Sequence, residues 1–298
     1  MQEIGFTDLP HLQVLDHHCD VQLSSWNLPL LTDIRGWGHH VTPLFTFRNQ
    51  LTTVEVLLES QHVDATALAL AVYSMVNLKH LSVTITDCQE NYSDLEGLEP
   101  VLKNGHSVPI DTLEITVMEY STYSAVGPLY DALSFLFASM FNLTLEDLSD
   151  YDANRAGHFY FTTKRKMFPY GSAINIKVLG VSNENEQWRT FPLLTSLVTD
   201  CSIAHTIRIE AQLTAFLSQW NSSNEWGYFA ALRHLRLTRC DDLAEWELKA
   251  LVANLMIGAE PGMGLQSLEI TDCRGISEEC LLELCDAVGP KLTWNGRS

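Results

Sequence analysis

Two nine-residue segments near the end of the chain share one pattern. LRHLRLTRC runs from Leu232 to Cys240 and LQSLEITDC from Leu265 to Cys273, with the apolar residues and the cysteine at the same spacing. Self-similarity of this kind is the sequence signature of stacked units, each of which buries its apolar face against the next. Further copies must therefore be sought before any helix or strand is assigned.

The shared pattern is an apolar residue followed at positions +3 and +5 by two more. It has ten starts, 19 to 38 residues apart: Leu12, Leu31, Leu51, Leu78, Ile110, Met140, Ala173, Leu194, Leu232 and Leu265. Units of roughly 20 to 29 residues are typical of leucine-rich repeats, and longer units have room for a helix on the return path. The spacing predicts an α/β leucine-rich-repeat solenoid, a horseshoe with a parallel β-sheet on the concave face and helices and irregular coils on the convex face. We expect a single domain, 1–298, of about ten irregular repeats.

Helices are expected between the strands from Leu51 onward. Two carry N-capping residues, Asp64 and Ser93, whose side chains can accept hydrogen bonds from the first turn. The predicted helices are Asp64–Met75, Ser93–Asn104, Leu129–Met140, Ala211–Trp220, Leu243–Ile257 and Ser277–Val288, and Lys291–Trp294 is predicted as a closing edge strand.

The segment 146–172 is irregular and is interpreted as an insertion between repeats. It contains a three-residue basic run, Lys164, Arg165 and Lys166. Insertions between repeats often lie on one face and bind partners, which makes this run a candidate docking loop. The alternative is an ordinary solvated loop on the return path.

The charge balance restricts the classes of partner. The chain has 37 acidic and 18 basic residues and a formal charge of -19. Such a field repels nucleic acid and anionic membranes and attracts basic protein surfaces. We therefore expect a protein partner of basic character, no nucleic acid and no membrane.

The expected cellular location of the protein and the expected redox state of its cysteines are consistent with each other. No apolar run approaches the roughly 20 residues that span a bilayer, and Met1–Pro10 does not have the pattern of a signal peptide, so a cytoplasmic or nuclear protein is expected. The seven cysteines are odd in number. Cys19, Cys201, Cys240 and Cys273 follow repeat starts, which indicates reduced, inward-facing structural thiols.

No catalytic motif is found, so we expect no enzyme activity and no cofactor. A histidine cluster was considered as a zinc site because adjacent coils would stack it with a cysteine and an aspartate. Its members are His17, His18, Cys19, Asp20, His39 and His40. Surface histidines at the end of an array are the preferred interpretation, and no metal is expected.

The binding surface is predicted from strand geometry. Side chains alternate along a strand, so the residues between the buried positions of each unit line the concave face. Those selected for binding are Asp16, His18, Arg35, Trp37, Glu55, His80, Glu114, His234, Arg236 and Glu269. In the unit that starts at Leu194 the corresponding positions are Ser196, Val198 and Asp200. Trp37 beside Arg35 is the candidate anchor, because tryptophan and arginine dominate interface energetics, and a packed cap residue is the alternative.

The last two units, LRHLRLTRCDDLAEWELKALVANL and LQSLEITDCRGISEECLLELC, resemble the cysteine-containing leucine-rich repeats of F-box proteins. The opening LPHLQVLDHHCDVQLSSWNLPLLTDIRGWG is similar to the repeat region of fungal, mushroom-type F-box proteins. The resemblance implies a protein-protein interaction module, the substrate-recognition arm of an F-box-type ubiquitin ligase adaptor. No F-box is visible, so Skp and cullin subunits are expected as partners only if that motif lies upstream. The alternatives are a leucine-rich-repeat enzyme regulator, either an inhibitor or a GTPase activator, a stand-alone scaffold, and an enzyme that uses the insertion.

Overall fold

The computed structural model describes residues 8–17, 26–37, 47–59, 62–91, 108–148, 158–180, 191–212, 215–217, 225–258 and 264–295. The chain divides into two compact units, which we call unit 1, Met1–Ser139, and unit 2, Met140–Ser298. The helix expected over Ser93–Asn104 lies outside the described residues. The prediction of a single repeat domain stays a prediction.

Unit 1 contains a parallel sheet in which the strands follow one another in chain order. Its strands are β1 (Val14–His17), β2 (Asp33–Trp37), β3 (Thr53–Glu59), β5 (His80–Thr86) and β7 (Val108–Val117). Two short strands, β4 (His62–Val63) and β6 (Glu90–Asn91), pair with each other in parallel. The helices are α1 (Ala65–Tyr73) and α2 (Tyr123–Leu133), with a 3-10 turn at Arg48–Gln50.

Strand β8 (Leu136–Glu146) contains the division between the units. Unit 2 has a parallel sheet of β9 (Gly171–Leu179), β10 (Thr206–Ala211), β11 (His234–Thr238), β12 (Ser267–Thr271) and β13 (Leu292–Asn295), again in chain order. Its helices are α3 (Leu193–Asp200), α4 (Glu245–Val252), which continues as a π-helical turn at Ala253–Ile257, and α5 (Glu278–Val288). Glu225–Ala231 and Gly289–Lys291 are 3-10 helices.

The core consists of the apolar positions of the sequence pattern. In β3 the residues at +3 and +5, Val54 and Val56, are buried, and in β11 the equivalent Leu235 and Leu237 are buried as well. The residues between them face solvent in whole or in part. We call this side of each sheet the open face. The prediction of an α/β chain with parallel strands and helices is confirmed.

The same backbone turn follows several strands. The first residue after β5, β8, β9, β11 and β12 adopts the left-handed conformation: Asp87, Asp147, Gly180, Arg239 and Asp272. This conformation redirects the chain out of the sheet at each of these strand ends.

A cysteine follows the turn in three of these places and makes the same contact each time. The Cys88 thiol lies 3.4 Å from the Leu58 carbonyl oxygen, that of Cys240 3.6 Å from the Ile209 oxygen, and that of Cys273 3.7 Å from the Leu237 oxygen. Each carbonyl belongs to the preceding strand of the sheet and to the same register row. A contact that recurs at equivalent positions is compatible with a solenoid.

The prediction that a repeat unit starts at Leu194 is wrong. Residues 193–200 form α3, so Ser196, Val198 and Asp200 lie on a helix rather than on the open face. The strand in this region is β10, which follows Ala204 with Ile207 at +3 and Ile209 at +5, all three buried. The apolar spacing of residues 194–199 also fits one turn of helix, which is why the pattern selected the wrong segment.

Two predicted helices are displaced. Helix α2 ends at Leu133, and β8 begins within the helix predicted over Leu129–Met140. Along β8 buried and more exposed residues alternate from Leu136 onward, except at Ser139 and Met140, which are both exposed. The helix predicted over Ala211–Trp220 is also wrong at its start. Ala211 ends β10, and Ala215 forms a bridge with Pro192.

The remaining predicted elements in the described residues are confirmed. Asp64 caps α1, since its Oδ1 accepts a hydrogen bond from the Ala67 backbone N–H at 2.9 Å. Ser277 caps α5 through its hydroxyl, which accepts from the Cys280 N–H at 3.2 Å. The closing strand is β13, which pairs with β12. In the part of the chain that the structure describes, no helix has the length and apolar character needed to cross a membrane.

Candidate functional site

A cavity of 290 Å³ opens on the open face of unit 1. Four neighbouring strands supply its lining, which is Asp16, Arg35, Gly36, Glu55, Val56, Leu57, Ser82 and Thr84. The strand register explains this grouping, because Asp16 pairs with Arg35, Arg35 with Glu55 and Glu55 with Ser82. Parallel strands in register thus place one row of polar side chains across the sheet.

Gly36 of β2 lines the cavity and allows His17 of the neighbouring strand to pack closely against it. A Cβ atom at this position would lie 2.9 Å from both the carbonyl oxygen and the Nε2 atom of His17. Only a residue without a side chain therefore allows His17 of β1 to pack across β2.

The charges of the cavity are arranged around one arginine. The Arg35 Nε lies 3.1 Å from the Glu55 Oε1, and Arg35 has Asp16 as its register partner on the other side. The next strand continues the row with Ser82, whose partner on β7 is the exposed Glu114. The row holds three carboxylates and one guanidinium, so its excess charge is negative.

Asp33 adds a further carboxylate on the same face. The Thr32 hydroxyl donates to its Oδ2 at 2.5 Å. This hydrogen bond is the main cause that lowers the pKa of Asp33, with smaller contributions in the same direction from Thr53 and Arg35. The group is therefore ionised at neutral pH, and it strengthens the acidic character of the face.

The described residues that the sequence analysis selected for binding lie on the open face of unit 1 and on the open face of unit 2. Asp16, Arg35 and Glu55 meet in the cavity, and His80 and Glu114 lie on the same open face. His234, Arg236 and Glu269 lie on the open face of unit 2. Trp37 ends β2, while its side chain and the residue His18 lie outside what the structure describes.

Two residues of the candidate surfaces were not predicted from the sequence. Gly36 was not considered, although a glycine between Arg35 and Trp37 in a predicted strand is a signal of close backbone approach. Arg208 was missed because β10 was assigned to the wrong segment. The sequence HTIRIEA, residues 205–211, carries the alternation that would have placed it on the open face.

The basic run of the insertion lies at the tip of a tight hairpin. The Thr162 N–H donates to the Lys166 carbonyl oxygen at 2.9 Å, and the Arg165 N–H donates to the Thr162 oxygen at 2.9 Å. Lys164, Arg165 and Lys166 are all exposed, whereas Tyr160 and Phe168 at the base of the hairpin are buried. The three cations are thus presented to solvent on an ordered turn.

The described residues contain no group of three or more histidine, cysteine, aspartate or glutamate side chains that could hold a metal ion. Of the histidine cluster considered above, His17 lies in β1, and His18, Cys19, Asp20, His39 and His40 lie outside the described residues. The thiols of Cys201 and Cys240 are free and buried, and burial raises the pKa of each. They are packed in the interior rather than poised for nucleophilic chemistry.

Comparison with protein-family models, with curated proteins and with solved structures gave no match for this chain. Its function is therefore inferred from the geometry and charge of its own surfaces.

Proposed function

We propose that the chain is a leucine-rich-repeat protein-interaction module whose open face in unit 1 binds a basic segment of a partner protein. The module is of the kind that selects substrates for an F-box-type ubiquitin ligase, and it performs no chemistry itself.

Recurrent local geometry supports the repeat architecture. The left-handed turn after the strand and the thiol contact with the preceding strand recur at equivalent positions. The hydrogen bonding at the start of a strand recurs as well. The carbonyl of the residue that precedes one strand accepts hydrogen bonds from the N–H groups of two consecutive residues at the start of the next strand. In unit 1 Thr52 accepts from Lys79 and His80, and in unit 2 Arg233 accepts from Gln266 and Ser267.

The observation that carries the binding proposal is the cavity with its row of charges. Arg35 is held beside Glu55, while Asp16 and Glu114 extend the carboxylates in both directions along the row. A lysine or arginine of a partner can enter between these carboxylates and form charge-assisted hydrogen bonds. Leu57 and Val56 supply apolar surface for the methylene groups of such a side chain.

A strand-built surface is suited to this task. The backbone of each strand is fixed by hydrogen bonds to its neighbours, so little conformational entropy is lost on association. The charge of -19 attracts basic partners over a longer range and increases the rate of encounter. Contacts in the cavity then decide which basic segment stays bound.

The proposal is tested by measuring the fluorescence anisotropy of a labelled ten-residue peptide rich in lysine and arginine. We expect the double variant Asp16→Asn, Glu55→Gln to weaken binding by about tenfold, because two partly exposed charge contacts are lost. Glu119→Gln is the matched control, since it removes one carboxylate from an exposed turn outside the cavity. Equal affinity for the double variant and the wild type would refute binding at this cavity.

The ligase assignment is tested by affinity capture from a eukaryotic lysate followed by mass spectrometry. We expect a protein partner that is captured by the wild type and by the Glu119→Gln variant but not by the double variant. Skp and cullin subunits should appear only with a form of the chain that is extended upstream to include an F-box. A single stoichiometric enzyme without ligase subunits would instead identify a regulator.

A further inference from the structure

The open face of unit 2 has a charge pattern opposite to that of unit 1. Its central row runs from Asn175 on β9 through Arg208 on β10 and Arg236 on β11 to Glu269 on β12. Two arginines are therefore direct neighbours across parallel strands. Like charges in this relation repel each other and are destabilising unless anions compensate them.

Only one of the two arginines has an anionic partner in the described part of the chain. The Arg236 Nε lies 3.6 Å from the Glu269 Oε2 and 3.4 Å from the Thr238 hydroxyl, to which it donates. Arg208 is exposed and makes no hydrogen bond or ion pair with any described residue. The nearest acid on its own strand, Glu210, is already paired with Arg239.

A second exposed cation lies on the adjacent strand, directly across from Glu210, which is already paired with Arg239. Lys177 on β9 is exposed and, among the described residues, has no ionic partner. It lies diagonally across from Arg208, because the register pairs Lys177 with Glu210 and Arg208 with Asn175. Diagonal neighbours in a sheet are separated by roughly 7 Å.

The polar network at this place is also incomplete. The Asn175 amide donates to the Asn142 Oδ1 at 2.6 Å, but its own Oδ1 is buried and accepts no hydrogen bond from the described residues. A bound anion beside Asn175 would draw the Arg208 guanidinium toward this amide. The guanidinium could then donate the hydrogen bond that the Asn175 Oδ1 lacks.

We propose that this face of unit 2 is a second docking surface, specific for an extended acidic segment of a partner protein whose carboxylates bind Arg208 and Lys177. Alternate side chains of an extended peptide lie about 6.6 Å apart on one side of the backbone, which matches the diagonal spacing of the two cations. The motif that fits is therefore two acidic residues separated by one other residue. Arginine binds a carboxylate through two parallel hydrogen bonds, which gives the contact direction as well as charge.

Ionic strength decides whether the rest of the chain opposes this binding. The overall charge of -19 repels an acidic peptide at long range. At 0.15 M salt the Debye length is about 8 Å, so distant carboxylates are screened while contacts at the two cations are not. Measurements are therefore made at this salt concentration.

The experiment uses the full chain and a peptide of sequence Gly-Glu-Ser-Glu-Ser-Glu-Gly that carries an uncharged fluorophore, with anisotropy as the readout. The double variant Arg208→Gln, Lys177→Gln should weaken binding by at least about tenfold, because hydrogen bonds to charged groups are lost. Arg274→Gln is the matched control, since it removes an exposed cation in the turn after β12 and should leave the affinity unchanged.

Folding and nucleic-acid binding are controlled separately. Lys177 and Arg208 make no hydrogen bond or ion pair with the described residues, and the loss of Arg208 removes its repulsion with Arg236, so the urea midpoint of the double variant should be no lower than that of the wild type. Wild-type affinity of this variant for the peptide would overturn the proposal, as would tighter binding of a single-stranded oligonucleotide of equal charge. The Asp16→Asn, Glu55→Gln variant should bind the acidic peptide normally, so failure of the unit 1 proposal can be told from failure of this one.

Discussion

The absence of a side chain at Gly36 in β2 allows His17 of β1 to pack closely against it. Adding a single methyl group at this position tests whether this close contact matters for stability. Gly36→Ala would place a Cβ 2.9 Å from the His17 carbonyl oxygen and from its imidazole. Overpacking of this kind costs about 1 to 3 kcal/mol, and we expect the free energy of unfolding in urea to fall by that amount. Because Gly36 lines the cavity, affinity for the basic peptide should fall as well.

The matched control for this substitution is Gly227→Ala. A Cβ at Gly227 meets no atom within 4 Å, so the variant should be neutral or stabilised by up to about 1 kcal/mol. Equal unfolding free energies for the two variants would show that the contact with His17 is not a constraint.

A second residue-scale prediction concerns the carboxylate of Glu247, which is 3% exposed. Its Oε1 accepts from the N–H groups of Phe216 and Leu217 at 3.2 and 2.9 Å, and its Oε2 accepts from the Ala244 N–H at 3.0 Å. Glu247→Ala leaves two buried N–H donors and one half-buried N–H donor without an acceptor, so we expect a loss of about 3 kcal/mol in the free energy of unfolding.

Glu247→Gln distinguishes hydrogen bonding from bulk at this site. The glutamine amide keeps one acceptor oxygen but places donor hydrogens against N–H groups. We therefore expect a free energy of unfolding between those of the wild type and Glu247→Ala. Glu279→Ala, at an exposed position in the first turn of α5, should cost less than about 1 kcal/mol. A Glu247→Ala variant as stable as Glu279→Ala would contradict the role assigned to the buried carboxylate.

At the scale of the element, the turn after β5, β8, β9, β11 and β12 has a positive φ, and it is occupied by aspartate in three cases, by glycine in one and by arginine in one. Gly180 has φ 66° and Asp87 has φ 50°. We expect Gly180→Ala to destabilise the chain by about 1 to 2 kcal/mol, because a Cβ is unfavourable in this conformation and here meets the Asp147 side chain.

Asp87→Gly should have the opposite effect and raise the free energy of unfolding by up to about 1 kcal/mol. The turn keeps its hydrogen bond from the residue 87 N–H to the Glu119 carbonyl oxygen, and the lost carboxylate is exposed. Urea unfolding of both variants provides the measurement. Destabilisation by both would mean that the left-handed conformation is not what limits these turns.

These turns also show how far the sequence predicts the fold. The +3 and +5 positions identify the strands wherever burial alternates, as at Val54 and Val56, since a strand buried on one face needs that period. Periodicity fails where a short apolar run fits both periods, as in α3. The turns themselves carry no common residue, because aspartate, glycine and arginine all occupy them.

The candidate site is predictable only as a set of separate positions. Asp16, Arg35 and Glu55 were selected one strand at a time by alternation, and the register that brings them together is a tertiary property. The uncompensated state of Arg208 is equally invisible in the sequence. It follows from the pairing of Glu210 with Arg239, whose side chains meet only in the folded chain.

For the whole molecule the balance between ion pairs and self-repulsion sets the response to salt. The ion pairs Arg35–Glu55 and Lys249–Glu283 are both about half exposed, and solvent screens such pairs, so each contributes little to the stability of the fold. Against them stands a charge of -19, whose mutual repulsion disfavours the compact state.

Repulsion is spread over the whole chain and the ion pairs are few among the described residues, so we expect added salt to stabilise the fold. Raising NaCl from 0.05 to 0.5 M should increase the free energy of unfolding by on the order of 1 kcal/mol, or about 2 °C in Tm for a chain of this size. Glu119→Lys, at an exposed turn, lowers the excess charge by two and should raise Tm in low salt while reducing its dependence on NaCl. A Tm that falls with added NaCl in both proteins would mean that close ion pairs outweigh the repulsion, and that the acidic excess is already neutralised locally in the folded chain.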